Sequence, residues 1–119
     1  MLETVLLEGT ALVLCRGRVL QGASARHFLG WIGDALSRHR RVVVDLGGVT
    51  HMDARGLGML AVLIRRAGTP RGRLVVATRA RRINSLLRLT GLDTLVECVP
   101  SHAFRDMAES ESAAHVASV

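Results

Sequence analysis

The chain has 119 residues, with 16 basic and 10 acidic side chains and a formal net charge of +6. That length suits one domain, and a fold of this size buries roughly two-thirds of its unfolded surface. Hydrophobic residues at 49% and charged residues at 22% exclude disorder of the whole chain, and no apolar run is long enough to span a bilayer as a helix. The start, Met1-Leu2-Glu3-Thr4, has no basic stretch and carries an early acid, which argues against a signal peptide and for a cytoplasmic protein. Cys15 and Cys98 lie far apart in apolar, strand-like contexts, as expected of buried thiols in a reducing compartment. The histidines are scattered and no Cys-x-x-Cys occurs, so the residues suggest no metal site and no cofactor.

Every basic residue is arginine, tyrosine is absent and aromatics are 3%, so stacking platforms for single-stranded nucleic acid are nearly missing. The charge is uneven. No Asp or Glu occurs between Asp53 and Asp93, a stretch that holds nine arginines from Arg55 to Arg88. Such a stretch reads as a solvated basic face or as a surface for an acidic or phosphate-bearing partner.

In chain order, Thr4 to Glu8 and Ala11 to Cys15 are short strands around Gly9-Thr10, predicting an opening hairpin. Ser24 is placed to cap a helix from Ala25 to Arg38, with Phe28, Leu29, Ile32 and Leu36 on one stripe and Trp31 beside it. Val42-Val43-Val44-Asp45-Leu46 is a β-branched run without alternation, the pattern of a central strand buried on both faces, with Asp45 at its polar end. Asp53 is a good N-cap for a helix from Ala54 to about Arg66. Arg73 to Ala77 is the next core strand, and Thr78 can cap a helix through Leu89 that ends at Thr90-Gly91. Leu95 to Val99 is the last strand, followed by a short helix from Ala103 to about Ala108. The alternation predicts an α/β fold: a mixed sheet of about five strands with an opening hairpin, packed with about four helices. Residues 1–108 form a single domain on this reading, and 109–119 are a small, polar, disordered tail.

Gly56-Leu57-Gly58-Met59-Leu60-Ala61 matches the dinucleotide fingerprint G-x-G-x-x-A, but nine residues separate it from Leu46, its first glycine falls inside the helix, and no acid follows at the required distance. The small residues instead suggest close packing of that helix on the sheet. There is no lysine for a phosphate loop and no G-x-S-x-G elbow. Asp45 and Asp53 are explained without an acid–base role, so no catalytic residue is assigned and an enzyme is the least favoured class.

The run Val42-Val43-Val44-Asp45-Leu46-Gly47-Gly48-Val49-Thr50-His51-Met52-Asp53-Ala54-Arg55-Gly56-Leu57-Gly58-Met59-Leu60 resembles the signature of STAS domains, the fold of bacterial anti-sigma-factor antagonists. In that family an apolar strand leads into Asp-Leu-Ser-Gly-Val-Thr and then Asp-Ser-Ser-Gly-Leu-Gly at the start of an apolar helix. Gly17-Arg18-Val19-Leu20, Gly72-Arg73-Leu74-Val75-Val76, Arg81-Arg82-Ile83 and Leu86-Leu87-Arg88-Leu89-Thr90-Gly91-Leu92 extend the likeness over about residues 4 to 108.

The resemblance implies a partner-switching regulator. Such an antagonist binds an anti-sigma factor that is also a Ser/Thr kinase of the histidine-kinase-like ATPase fold, and phosphorylation of a motif serine by that kinase breaks the complex. It implies no small-molecule substrate and no membrane insertion. The binding surface carried over is Thr50, His51, Met52, Asp53, Ala54, Arg55, Gly56, Leu57 and Gly58. This sequence departs from the pattern at the two serine positions, which are Ala54 and Arg55. Arg55 stands where the usual phospho-acceptor would be, cannot accept phosphate, and differs from a phosphoserine by about three charge units. It also puts a cation in a first helical turn, against the helix dipole.

Thr50 and Ser24 are the hydroxyls to consider as displaced phosphosites, and Thr78, Arg79, Arg81 and Arg82 as an anion-binding group at a helix start. Two other functions compete with the sigma-factor regulator. One is a stand-alone STAS subunit of a lipid-transport ABC complex. The other is a basic nucleic-acid-binding domain, against which stand the missing aromatics and the lack of a DNA-binding motif.

Overall fold

The chain opens with β1 (Leu2–Leu7) and β2 (Thr10–Gly17), antiparallel and joined by a turn at Glu8-Gly9. The hairpin is the predicted one, with longer arms. The computed structural model describes residues 1–68, 73–101 and 114–118. Helix α1 (Ser24–Arg38), strand β3 (Arg41–Val49), helix α2 (Ala54–Ala67), strand β4 (Leu74–Thr78) and helix α3 (Arg81–Leu89) follow. A 3-10 turn at Leu92–Thr94 leads to β5 (Glu97–Pro100), and β6 (Ala114–Ser118) comes last. The strands make one mixed sheet in the order β5-β4-β3-β2-β1-β6. The pairs β2–β3, β3–β4 and β4–β5 are parallel, and β1 is antiparallel to both its neighbours.

The tail and the helix caps differ from the sequence expectation, for physical reasons. Residues 114–118 were expected in a disordered tail, but they pair with β1, for example Glu3 with Ser118 and Leu6 with Ala114. Their small, polar composition hides this, because pairing on an open edge uses the backbone and asks little of the side chains. The helix expected from Ala103 to Ala108 lies outside the described residues, among which there are three α-helices. The cap assignments at Ser24 and Thr78 also fail. Ser24 lies inside α1, whose N-cap is Ala23, and α3 is capped by Ala80, in neither case with a side-chain bond. Gly91 does take the left-handed conformation just past α3, at φ +75°.

The central strand behaves as its sequence predicts. Val42, Val44 and Leu46 enter one apolar cluster and Val43 the other, and all are fully buried. The larger cluster joins one sheet face to Phe28 and Ile32 of α1, Leu60 and Leu63 of α2, and Ile83 and Leu87 of α3. The smaller one holds Val5, Leu12, Leu14, Val75 and Ala77 on the opposite face. Asp45 is not at the strand's end but in its interior, fully buried, where its Oδ1 accepts a 2.7 Å bond from the Gly47 N–H. Trp31 ties α1 to the sheet by donating its indole N–H to Thr4 Oγ1 at 2.9 Å.

The two cysteines differ. Cys15 is buried in β2 as expected, whereas Cys98 is exposed, because β5 is short and forms one edge of the sheet. Burial pushes the Cys15 thiol far up, and the charge of Asp45 adds to this. A thiolate-directed reagent such as Ellman's is therefore expected to modify one thiol per folded chain and two in denaturant. Two fast-reacting thiols in the folded protein would contradict the packing of β2.

Candidate functional site

The carboxyl ends of the parallel strands β2 and β3 run into two loops that lie side by side. The Thr50 N–H donates to Gly17 O at 2.9 Å, Leu20 and Met52 form a parallel bridge, and the Asp53 N–H donates to Leu20 O at 3.2 Å. Asp53 then joins the loops to both helices. Its Oδ1 accepts from the Gly56 N–H at 2.9 Å, as the N-cap of α2, and its Oδ2 accepts from the Gly22 N–H at 2.8 Å, just before α1. The sequence predicts the first of these bonds. The second, across 31 residues, is invisible without the fold.

These bonds hold the Asp53 carboxyl below the ordinary carboxylate range, Gly56 contributing most, Gly22 next, and the positive charge of Arg55 adding to them. The same contact changes the reading of Arg55: the charge that opposes the dipole of α2 sits beside a carboxylate that favours it. The Asp53 carboxylate and carbonyl also occupy the Gly56 and Leu57 N–H groups, so those first amides of α2 are already satisfied.

Along residues 50–58 the structure exposes Thr50, His51, Ala54, Arg55 and Gly58, leaves Met52, Asp53 and Leu57 half-buried, and buries Gly56. Gly56 is pressed against the adjoining loop: a Cβ there would lie 1.9 Å from Leu20 O. This explains the first glycine of the false fingerprint by close packing, although against a loop rather than the sheet. Gly58 departs from that expectation, since a Cβ there meets nothing within 4 Å. The surface is thus an exposed rim on a backbone held by its neighbours. Sequence reasoning missed two parts of it: the loop of residues 17–22, which the Gly17-Arg18-Val19-Leu20 likeness had signalled, and Arg26 with Met59, which line a cavity of about 330 Å³ with Ala23 and Arg55.

The other candidate residues lie as follows. Thr50 is exposed, with its Oγ1 2.9 Å from His51 Nδ1. Ser24 is exposed in the first turn of α1, two residues past the Gly22 that Asp53 holds. Thr78 is buried at the end of β4, and its hydroxyl accepts from the Ala80 N–H at 3.3 Å. Arg79 donates to Gly47 O at 3.3 Å, while Arg81 and Arg82 are exposed. The four residues of the anion-binding group therefore do not face one point: one is an internal turn, one braces a neighbouring loop, and two face solvent. Among the described residues no three His, Cys, Asp or Glu side chains are grouped to hold a metal ion, and no helix is long and apolar enough to cross a membrane.

The family model described as "Mlab, STAS domain" matches residues 8–97, and the chain belongs to the STAS family. Its fold is similar to the crystal structure of an anti-sigma factor antagonist from Mycobacterium paratuberculosis, with a TM-score of 0.75 and 21% identity over 91% of this chain and 92% of the other. A Thermotoga maritima protein provisionally assigned the same role is similar at a TM-score of 0.71 and 18% identity, over 89% of this chain and 93% of that one.

Two consequences are measurable. Gly56→Ala is expected to destabilise the fold by about 1–3 kcal/mol through overpacking, whereas Gly58→Ala is expected to stabilise it by about 0.5–1 kcal/mol through helix propensity. Chemical denaturation distinguishes them, and equal effects would contradict the close approach at Leu20. Because folding lowers the Asp53 pKa, its contribution is fully present above the unfolded carboxylate value of about 4 and is lost as pH falls through the lowered one. The stability gap between the wild type and Asp53→Asn, followed by thermal unfolding, should therefore shrink on acidification. A gap that widens in acid would contradict the assignment.

Proposed function

We propose that this STAS protein is a non-enzymatic, cytoplasmic partner-switching regulator of the anti-sigma-factor-antagonist type. It binds an anti-sigma factor with a Ser/Thr kinase of the histidine-kinase-like ATPase fold through residues 50–58, and it is not switched off by phosphorylation at the usual position. One observation carries the reading. Arg55, which the family resemblance puts at the phospho-acceptor position, is exposed on a helix start held by the Asp53 bonds to Gly56 and Gly22. A guanidinium held there offers a partner carboxylate a bidentate hydrogen bond, a geometry that lysine does not reproduce. A second reading, a stand-alone STAS subunit of a lipid-transport ABC complex, stands because the matched family model describes a STAS domain and not antagonists alone.

The experiment is gentle purification from the host, native and intact mass analysis, and calorimetry of the recovered complex. The expected result is a kinase-type ATPase bound to chain without phosphate, with Arg55→Ala weakening the complex about tenfold or more, as for a hot-spot arginine. Unchanged affinity would remove Arg55 from the interface. A phosphate on Thr50 or Ser24 would show that a switch exists elsewhere, and a transporter ATPase in place of the kinase would favour the second reading.

A further inference from the structure

Helices α1 and α2 leave an open cleft between them. On α2, Arg55, Met59, Val62 and Arg66 recur at spacings of four, three and four residues and so share one stripe. Across from them on α1, Arg26 begins a row that continues through Gly30 and Gly33, where the side of the cleft is low. Two cavities of about 330 and 590 Å³ lie along this seam, and Arg26 lines both. Leu29, Leu36, Met59 and Ala67 give the lining its apolar part.

The cations stand at the two ends of the cleft. Arg26 and Arg55 flank one end, and Arg66 and Arg73 the other. Arg66 lies over Gly33, where a Cβ would be 3.7 Å from its Nη1, and Arg73 donates to Leu36 O. Among the described residues no carboxylate lines either cavity, and α2 contains none. The one acid of α1, Asp34, pairs with Arg38 at 3.3 Å. Among the described residues, Arg26 and Arg66 form no ion pair, and Arg55 has beside it only Asp53, whose oxygens already accept from the Gly56 and Gly22 N–H groups. Like charges facing one another across an apolar trough, with more cations than counter-charges, complement an acidic ligand.

We infer that this cleft docks an acidic amphipathic helix of a partner protein, its apolar side on Leu29 and Met59 and its carboxylates on the arginine pairs at either end. The twelve residues from Arg55 to Arg66 span about 16 Å of helix, or three turns, so the occupant carries acids about three turns apart with apolar residues between. An apolar floor with cations confined to the ends suits such a helix better than a nucleic acid, whose phosphates recur every few ångströms and whose bases seek aromatic faces. The inference shares Arg55 with the proposed binding loop but needs neither a kinase nor the residues 50–54.

The test follows backbone amide shifts of the intact protein during titration with a synthetic 15-residue helical peptide that has leucine on one face and glutamate at both ends of the other. A lysine counterpart, a 20-nucleotide poly-dT and anionic phosphatidylglycerol vesicles are titrated in parallel. The glutamate peptide is expected to shift Gly30, Gly33 and Gly58, to bind more weakly at high salt, and to lose about tenfold in affinity to the Arg26→Ser/Arg66→Ser variant. Gly33→Leu, which fills the cleft and keeps the charges, is expected to block it as well. Shifts centred elsewhere, equal binding of the lysine peptide, undiminished binding to Gly33→Leu, or poly-dT or vesicles moving these amides when the glutamate peptide does not, would each overturn the inference. Because no kinase is used, the result is independent of whether the loop binds one.

Discussion

The carboxylate of Asp53 is the junction on which this end of the molecule depends. One oxygen caps α2 through Gly56, and the other takes the Gly22 N–H ahead of α1. Two helices from distant parts of the chain therefore start from a common point, and the loops after β2 and β3 are drawn together beneath it. Gly56 makes the arrangement possible, since any side chain there would collide with the Leu20 carbonyl. The capping interaction is thus tertiary as well as local. It sets where Arg55 emerges and how the cleft between the two helices opens.

The sheet supplies the rest of the positioning. Parallel strands bring their carboxyl ends to one side, so Val49, Thr78 and Pro100 close their strands on the same edge of the fold. Consecutive crossover helices then start at that edge. A surface built there inherits the stiffness of fully buried residues such as Val43, Val44, Val75 and Val76. Exposed residues of the 50–58 segment can vary in chemistry while the backbone beneath them stays put.

Much of this was legible from residues alone, for reasons that can be named. The β-branched run at Val42 announced a strand buried on both sides because only that environment tolerates unbroken apolar side chains. Asp53 before an apolar helix was a readable cap because its main partner is three residues away. Ser24 and Thr78 looked equally good, yet neither caps a helix: Ser24 falls inside α1, and the Thr78 hydroxyl is spent on an internal turn at Ala80. Local chemistry offers a cap, and tertiary contacts decide whether it is used. The pairing of 114–118 with β1 and the Gly22–Asp53 bond were hidden for the same reason, since backbone contacts over long separations leave little trace in side-chain patterning.

Charge divides between a local and a collective role. Arg55 beside Asp53 is a modest local problem, because the carboxylate offsets the cost of a cation in a first turn. Arg55, Arg26 and Arg66 together are a different matter. An isolated surface arginine costs little, being well hydrated and mobile, but several around one apolar cleft repel one another and gain most when an anion arrives. The sequence stretch without acids from 54 to 92 becomes, in the fold, an α2 with no internal counter-charge. Composition does not account for the placement of these cations at the ends of a trough that no described carboxylate lines. That placement is the ground for inferring a docking face on this STAS domain beside the 50–58 segment.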